Sequence, residues 1–152
     1  MEPDDRRRQR LKDLLNSQKL AVLGTHRQGQ PYGSLVSFVA TEDMKQLLFA
    51  TTRSTRKYEN LTADPRVSLL MDNRSNQDSD IHEATAATAT GRADELEGPD
   101  KERFLRLYLE KHPYLQDFVN SPTCALLRVR VETYYLVNRF QEVTELHVQE
   151  WT

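Results

Sequence analysis

Hydroxyl and cationic side chains are concentrated in one stretch of the chain, residues 46–61, which reads QLLFATTRSTRKYENL. Its first half is an apolar run that ends in Thr51 and Thr52. Its second half is a polar turn that carries Arg56 and Lys57 and leads into a helix-like segment. Backbone N–H groups at a helix start, the positive end of the helix dipole and two adjacent cations can together bind a phosphate group. The stretch therefore indicates an anion site.

The same residues also have a purely structural interpretation. Thr55 could cap the helix, with Arg56 and Lys57 on its solvent-exposed face. Serine or threonine before a charged first turn is common at helix starts, so spacing alone favours this second interpretation. Both interpretations stay open at this point.

The other side chains that could take part in chemistry are scattered along the chain. The histidines His26, His82, His112 and His147 show no metal-ligand spacing, and we interpret all but His82 as surface or helix-end residues. The single cysteine, Cys124, lies in an apolar run, which favours a buried and inert thiol. The chain has no nucleophile elbow, GxGxxG or P-loop motif. A reactive group should therefore come from a bound cofactor.

The composition is that of a single hydrophilic domain. The chain has 152 residues, of which 38% are hydrophobic and 29% charged, with a formal net charge of -2. This length predicts one domain over residues 1–152. The acidic balance argues against a nucleic-acid partner, and we interpret Arg6-Arg7-Arg8 as the solvated face of a docking helix. No run approaches the roughly 20 apolar residues of a membrane helix, and the charged N-terminus is unlike a secretory signal, so we expect no membrane partner and a cytoplasmic location.

Apolar runs separated by short polar turns predict a meander of antiparallel strands. The expected strands cover residues 20–25, 32–40, 46–52, 66–72, 82–96, 123–137 and 142–148. The expected helices cover residues 4–17, a short segment after Thr55, 100–111 and 114–119, and residues 73–81 form a loop. The predicted fold class is mainly β: six or so antiparallel strands closed into a β-barrel with peripheral helices, because closure removes exposed sheet edges.

Five short motifs, taken in their order and spacing, resemble those of the pyridoxamine-phosphate-oxidase-like families of FMN-binding split β-barrels. The motifs are SLVSF, FATTRSTRK, DNRSN, HEATAATATG and YYLVNRFQ. The closer likeness is to uncharacterised bacterial FMN-binding proteins within these families. The resemblance covers nearly the whole chain. It implies a Greek-key split barrel with FMN as the cofactor, bound at the interface of a homodimer.

The resemblance also assigns individual residues to the cofactor. Four residues of the 46–61 stretch match the segment that grips the FMN phosphate, and three residues of the second strand match the strand along the isoalloxazine ring. One arginine matches a residue that reaches FMN across the dimer interface, and an asparagine that ends the fourth strand is a further candidate. In chain order these residues are Ser34, Val36, Ser37, Thr51, Thr52, Arg56, Lys57, Asn73 and Arg139.

The chain departs from the true oxidase where that enzyme binds its phosphorylated substrate. The oxidase has an arginine and a lysine where this chain has Ser34 and Val39, and an Arg-x-His pair where it has Tyr135-Leu136-Val137. A flavin-facing glutamine of the family is replaced by Ala86. We therefore expect FMN binding without pyridoxamine-phosphate oxidase activity.

The segment 82–96 alternates alanine and threonine, which indicates that something flat and large lies close to it. A flavin ring, a second subunit or a tightly packed neighbouring strand would each explain the small side chains.

The leading functional hypothesis is a homodimeric FMN oxidoreductase that acts on an unidentified small-molecule substrate or electron donor. One alternative is a non-enzymatic flavin-binding redox sensor or carrier. Another is a haem-handling protein, for which His82 and His147 are the candidate iron ligands. A deazaflavin shares a ring edge and a phosphate with FMN, so the sequence does not separate these two cofactors.

Overall fold

Alternating apolar residues form the strands that build the molecule, in a computed structural model that describes residues 3–138 and 142–151. The strands are β1 (Leu20–Arg27), β2 (Gln30–Ala40), β3 (Gln46–Thr52), β4 (Arg66–Asp72), β5 (Ala86–Glu95), β6 (Cys124–Val137) and β7 (Val143–His147). The α-helices are α1 (Pro3–Ser17), α2 (Arg56–Ala63), α3 (Asp80–Glu83), α4 (Gly98–Lys111) and α5 (Gln116–Val119). Single 3₁₀ turns cover Pro113–Leu115 and Val148–Glu150.

Six antiparallel strands close into a barrel in the order β3-β2-β1-β4-β5-β6. The barrel closes because β6 returns to β3 and pairs with it from Gln46↔Arg130 to Thr52↔Cys124. β7 adds to the far end of β6. Since β4 lies beside β1 after the β1-β2-β3 meander, the topology is a Greek key. The predicted fold class, a mainly β split barrel with peripheral helices, is confirmed.

Small and apolar side chains fill the inside of the barrel. Alternation along β5 places Ala87 and Ala89 inside, where both are fully buried, and Thr88 and Thr90 outside. The small residues of β5 therefore arise in part from close packing within the barrel. Two helices close the barrel ends: α1 inserts three leucines at one end, and α2 inserts Leu61 at the other.

The segment between β4 and β5 differs from the predicted loop and strand. A single helical turn, α3, covers Asp80–Glu83, so His82 lies on a helix and β5 begins only at Ala86. The Asp80 carboxylate accepts the backbone N–H groups of Ser75 and Gln77, each at 3.0 Å. These bonds order the polar segment through local side-chain-to-backbone contacts, which hydrophobic periodicity does not report.

Helix α4 lies on the outside of the barrel and forms a second core there. Phe104 and Tyr108 pack against the outward-facing residues of three strands, which include Val39, Leu48 and Leu126. At its end, Lys111 reaches across to α1: its Nζ donates to the Leu15 carbonyl at 3.0 Å and lies 4.1 Å from the centre of the Phe38 ring. The lysine therefore serves as a C-terminal cap for α1.

Burial of Lys111 should make the stability of the protein depend on alkaline pH. Desolvation lowers the pKa of its amine from 10.5 to about 8. Below this pKa the amine is charged in the folded and unfolded states alike, and its desolvation penalty is fully present. Between pH 8 and 10.5 the unfolded state binds more protons, so the free energy of unfolding should rise with pH.

Lys111→Met removes this titration while keeping most of the apolar stem. We expect the difference in unfolding free energy between wild type and variant, measured by urea denaturation from pH about 7 to about 10.5, to shift in favour of the wild type as pH rises. A constant difference over that range would show that the Lys111 amine is not desolvated.

Candidate functional site

Two hydroxyl groups organise the turn that joins β3 to α2, residues 51–57. The hydroxyl oxygens of Thr51 and Thr55 are 2.9 Å apart, and Thr55 also donates to the Thr52 carbonyl at 3.1 Å. The Thr55 hydroxyl accepts the N–H of Tyr58 at 3.3 Å, which makes it the N-cap of α2. The capping role considered for Thr55 is therefore confirmed, and it does not use up the cations that follow.

The three cations of the 51–57 turn differ in their partners. Arg53 donates to the Glu95 carboxylate at 2.6 Å and to the Pro122 carbonyl at 2.9 Å. The guanidinium of Arg53 lowers the pKa of Glu95, which also accepts the Tyr58 hydroxyl at 2.7 Å. Within residues 3–138 and 142–151, neither Arg56 nor Lys57 forms an ion pair. Two of the three positive charges are therefore available to an anion.

Backbone donors add to these charges. The N–H groups of Arg53, Tyr58 and Glu59 are bonded to Thr123 or Thr55, whereas those of residues 54–57 have no acceptor among the described residues. Free N–H groups at the first turn of a helix carry the positive end of its dipole. The 51–57 turn thus presents consecutive donors and two unpaired cations on one short segment.

A gap in the barrel wall opens beside this turn. β2 pairs with β3 only from Phe38 to Ala40, so residues 30–37 of β2 and 50–52 of β3 diverge; we name this gap the split. The Tyr108 hydroxyl lies at its closed end, where it donates to the Ser37 carbonyl at 3.1 Å. Its pKa is raised, chiefly by burial. One neutral side chain therefore occupies the β2 carbonyl next to the last β2–β3 pair.

The edge of β2 that borders the split has free backbone groups. The N–H of Phe38 donates to the Lys19 carbonyl on the β1 side, and backbone direction alternates along a strand. The backbone groups of Gly33, Leu35 and Ser37 consequently face the split. The Ser34 hydroxyl is buried without a hydrogen-bond partner among the described residues. A buried polar atom of this kind favours a missing ligand or water as its partner.

The three site residues predicted on β2 do not share a face. Ser34 and Val36 point into the barrel, and Val36 is part of the core at 5% exposure. Ser37 points to the outer face, towards α4, and its carbonyl is occupied by Tyr108. Any contact of this strand with a ligand in the split would therefore depend on backbone groups and on Ser34 more than on the Val36 side chain.

The remaining predicted residues fall into two places. Thr51, Thr52, Arg56 and Lys57 all lie on the 51–57 turn, although Thr51 is buried and bonded within the turn. Asn73 lies beyond the opposite end of β4, where its Oδ1 accepts the N–H of Thr85 at 2.7 Å. Six residues along a strand span roughly 20 Å, so Asn73 is separated from the 51–57 turn of its own chain. The ninth predicted residue, Arg139, lies outside the described residues.

The histidines lie away from the 51–57 turn. His112 ends α4 as expected but is fully buried: its Nε2 lies 2.7 Å from the Phe38 carbonyl oxygen, and burial lowers its pKa. His26 lies 3.1 Å from the Asp64 carboxylate, which Arg66 also contacts. Residues 3–138 and 142–151 contain no cluster of three potential metal ligands. In the same ranges, every helix is too short or too polar to cross a membrane.

Tyr108 and Ser54 are the site residues that sequence reasoning missed. Helical spacing assigns Tyr108 to the apolar face of α4, and nothing local indicates that its hydroxyl meets a strand 71 positions away. Ser54 is exposed on the 51–57 turn, with its hydroxyl 3.3 Å from that of Thr52. The sequence signal that could have identified Ser54 is its position within the run RSTRK.

Comparison with known proteins identifies relatives of this architecture. The sequence model of the family described as pyridoxamine 5'-phosphate oxidase matches residues 8–138. No match was found among curated proteins.

Solved structures share the fold at low sequence identity. A haem-binding protein from Mycobacterium smegmatis is 16% identical over 90% of this chain and 55% of its own, with a TM-score of 0.79. The haem storage protein HutZ from Vibrio cholerae is 19% identical over 86% and 93%, with a TM-score of 0.74. An FAD-binding protein from Mesorhizobium loti is 19% identical over 84% and 89%, with a TM-score of 0.67. At these identities the likeness shows the fold alone.

Proposed function

The chain belongs to the pyridoxamine 5'-phosphate oxidase family, and from this premise we propose that it is an FMN-binding oxidoreductase of an unidentified small molecule. In this proposal FMN lies between two copies of the chain. Cytoplasmic location and a single domain over residues 1–152 remain part of the proposal.

The observation that carries the proposal is the 51–57 turn. Its free backbone N–H groups, the start of α2 and the unpaired cations Arg56 and Lys57 form a receptor suited to a phosphate dianion. Arg53 is already paired with Glu95, and this ion pair holds the turn in place. A dianion there would be met by charge, by hydrogen-bond donors and by a helix dipole together.

The split supplies groups that fit a flavin ring. The free backbone edge at Gly33 and Leu35 offers a donor and an acceptor on each residue, as a pyrimidine edge requires. The buried Ser34 hydroxyl has a hydrogen bond still to make. When bound, FMN would supply hydride or single-electron transfer. The protein residues would anchor the phosphate, orient the ring edge and exclude water.

Activity on pyridoxamine phosphate is not part of the proposal. Val39, where the oxidase has a lysine, is buried beneath α4 at 7% exposure. Leu136 is buried as well, and its neighbours Tyr135 and Val137 are uncharged. These positions offer no charge for a second phosphate group, so the substrate should be recognised by other groups.

An apolar outer face supports the homodimer. Val22 of β1 is paired with Leu35 of β2 on one side and with Leu70 of β4 on the other. Leu35 is 66% exposed, and Leu20 at the same end of β1 is 52% exposed. A contiguous apolar patch of this kind on a sheet face favours a protein partner.

Haem handling and a non-enzymatic flavin carrier are the alternatives. Haem is favoured only by the fold shared with haem-binding proteins; among the candidate ligands, His147 is 3.2 Å from the Thr133 hydroxyl and 3.9 Å from Glu145. Flavin is favoured because the unpaired cations suit a phosphate ester. Bound flavin that reduced nicotinamide does not bleach under anaerobic conditions would identify a carrier rather than a reductase.

Comparing FMN with riboflavin tests the proposal directly, since the two differ only in the phosphate. We expect calorimetry on the flavin-free protein to show FMN binding at least roughly 100-fold tighter than riboflavin, because charge-assisted hydrogen bonds contribute about 1.5–3 kcal/mol each. The FMN complex should sediment as a dimer. Equal affinities for FMN and riboflavin would contradict phosphate binding at the 51–57 turn. A monomer with tightly bound FMN would contradict the proposed dimer.

A further inference from the structure

A second cavity lies directly next to the 51–57 turn. It has a volume of about 390 Å³ and lies between the β1–β2 hairpin and the first turns of α2. This volume is within the range of small-ligand sites. The cavity is lined by Arg27, Gln30, Pro31, Tyr32, Arg56, Glu59 and Asn60. We name it the hairpin cavity.

An aromatic ring and a guanidinium group stand together in the hairpin cavity. Tyr32 is 38% exposed although it lies on a strand of the barrel. The guanidinium carbon of Arg56 is 5.6 Å from the centre of the Tyr32 ring, which is within cation–π range. Flat aromatic ligands stack on both tyrosine rings and guanidinium planes.

The remaining lining groups give the hairpin cavity a polar and cationic character. Arg27 lies 3.8 Å from Glu59 in an exposed pair, so two arginines face one carboxylate. Asn60 is buried at 3% exposure and donates to the Thr25 hydroxyl at 3.0 Å, which fixes its amide at the wall. An amide held in place, a ring and a surplus cation form a site for a base joined to a phosphate.

We propose that the hairpin cavity binds an adenine nucleotide group, with the base stacked on Tyr32 and Arg56 and the phosphate beside Arg27 and Arg56. The proposal rests on the FMN site described above, because Arg56 belongs to both. The group can be the adenylate half of FAD or a separate adenine nucleotide.

Arg56 provides the link between the two sites. It is on the 51–57 turn, where FMN phosphate is proposed to bind, and its guanidinium also borders the hairpin cavity. In FAD the adenylate phosphate is joined directly to the flavin phosphate. A dinucleotide that enters through the split would therefore place its second phosphate at the entrance of this cavity.

Binding of FMN and FAD to the flavin-free protein tests the proposal by calorimetry. We expect FAD to bind about tenfold tighter than FMN, which corresponds to one added stacking contact. Tyr32→Leu, which keeps bulk but removes the ring, should abolish this difference while FMN affinity stays the same. Tyr32→Phe keeps the ring and should retain the difference.

Adenosine monophosphate identifies the source of the nucleotide. Suppose that FAD binds no tighter than FMN, but that adenosine monophosphate binds the FMN-loaded protein and this binding is lost in Tyr32→Leu. The cavity then holds a separate nucleotide. If FMN binds but neither FAD nor adenosine monophosphate depends on Tyr32, the proposal is wrong and the FMN site stands. If FMN itself does not bind, the proposed function fails, and the adenylate site that rests on it fails too.

Discussion

Replacing both Arg56 and Lys57 with alanine should give a folded protein that purifies without bound flavin. The double variant removes both unpaired cations of the 51–57 turn and leaves its hydroxyl network and the Arg53–Glu95 pair in place. Losing two charge-assisted contacts should weaken FMN binding by about 3 kcal/mol or more, which is over 100-fold. Absorbance of the purified protein and FMN titration by calorimetry would measure the loss.

A matched control separates this effect from the change in net charge. Arg6 and Arg10 are exposed on α1, so Arg6→Ala with Arg10→Ala removes the same charge away from the turn. This control should bind FMN like the wild type. Full flavin retention in the Arg56/Lys57 variant, with unchanged thermal stability in both, would contradict the site.

Replacing Gly91 with alanine should strongly destabilise the barrel. β5 has a register shift between Thr90 and Gly91 as it crosses β6. A Cβ at position 91 would overlap the backbone carbonyl of Arg130, and a backbone group in a central strand cannot move aside as a flexible side chain can. Such overlap should lower the free energy of unfolding by about 3 kcal/mol or more. Urea denaturation would measure it.

Gly33→Ala is the control for this prediction, since Gly33 is also a strand glycine. A Cβ there would lie 3.7 Å from the Val22 Cγ1, which is an ordinary contact. Its stability should therefore change by less than about 1 kcal/mol. If Gly91→Ala denatured at the wild-type urea midpoint, the close approach of β5 and β6 would not constrain residue 91.

Sequence patterns predicted most of the fold because its strands alternate regularly and because specific residue types mark where its strands and helices end. Alternation along β6 and the Asp64-Pro65 stop after α2 both depend on local residue types, and both are confirmed. The closed barrel was predicted because closing a sheet of short hairpin-linked strands removes its exposed edges. The single turn α3 was missed, and the polar segment before it is ordered by the Asp80 carboxylate through bonds that no periodic pattern contains.

The parts of the candidate site that lie on one continuous segment were predictable from the sequence. The parts that depend on contacts between distant segments were not. The 51–57 turn is one continuous segment, so its hydroxyls and cations were visible in the sequence. The faces of Ser34, Val36 and Ser37 depend on the register of β2 with β1, and the Tyr108 hydroxyl that contacts Ser37 comes from a distant helix. Tyr32 and Arg56 likewise meet only because the β1–β2 hairpin folds onto α2.

The split has a consequence for the protein before it has bound anything. The exposed backbone of β2 is a template to which another extended chain could add a strand, and such edges promote aggregation. The flanking β2 residues Tyr32 and Leu35 are exposed, and tyrosine is among the residue types enriched in strands. A ligand lying along this edge would therefore cover the exposed backbone in addition to any chemical role. Newly made chains that bind it would aggregate less.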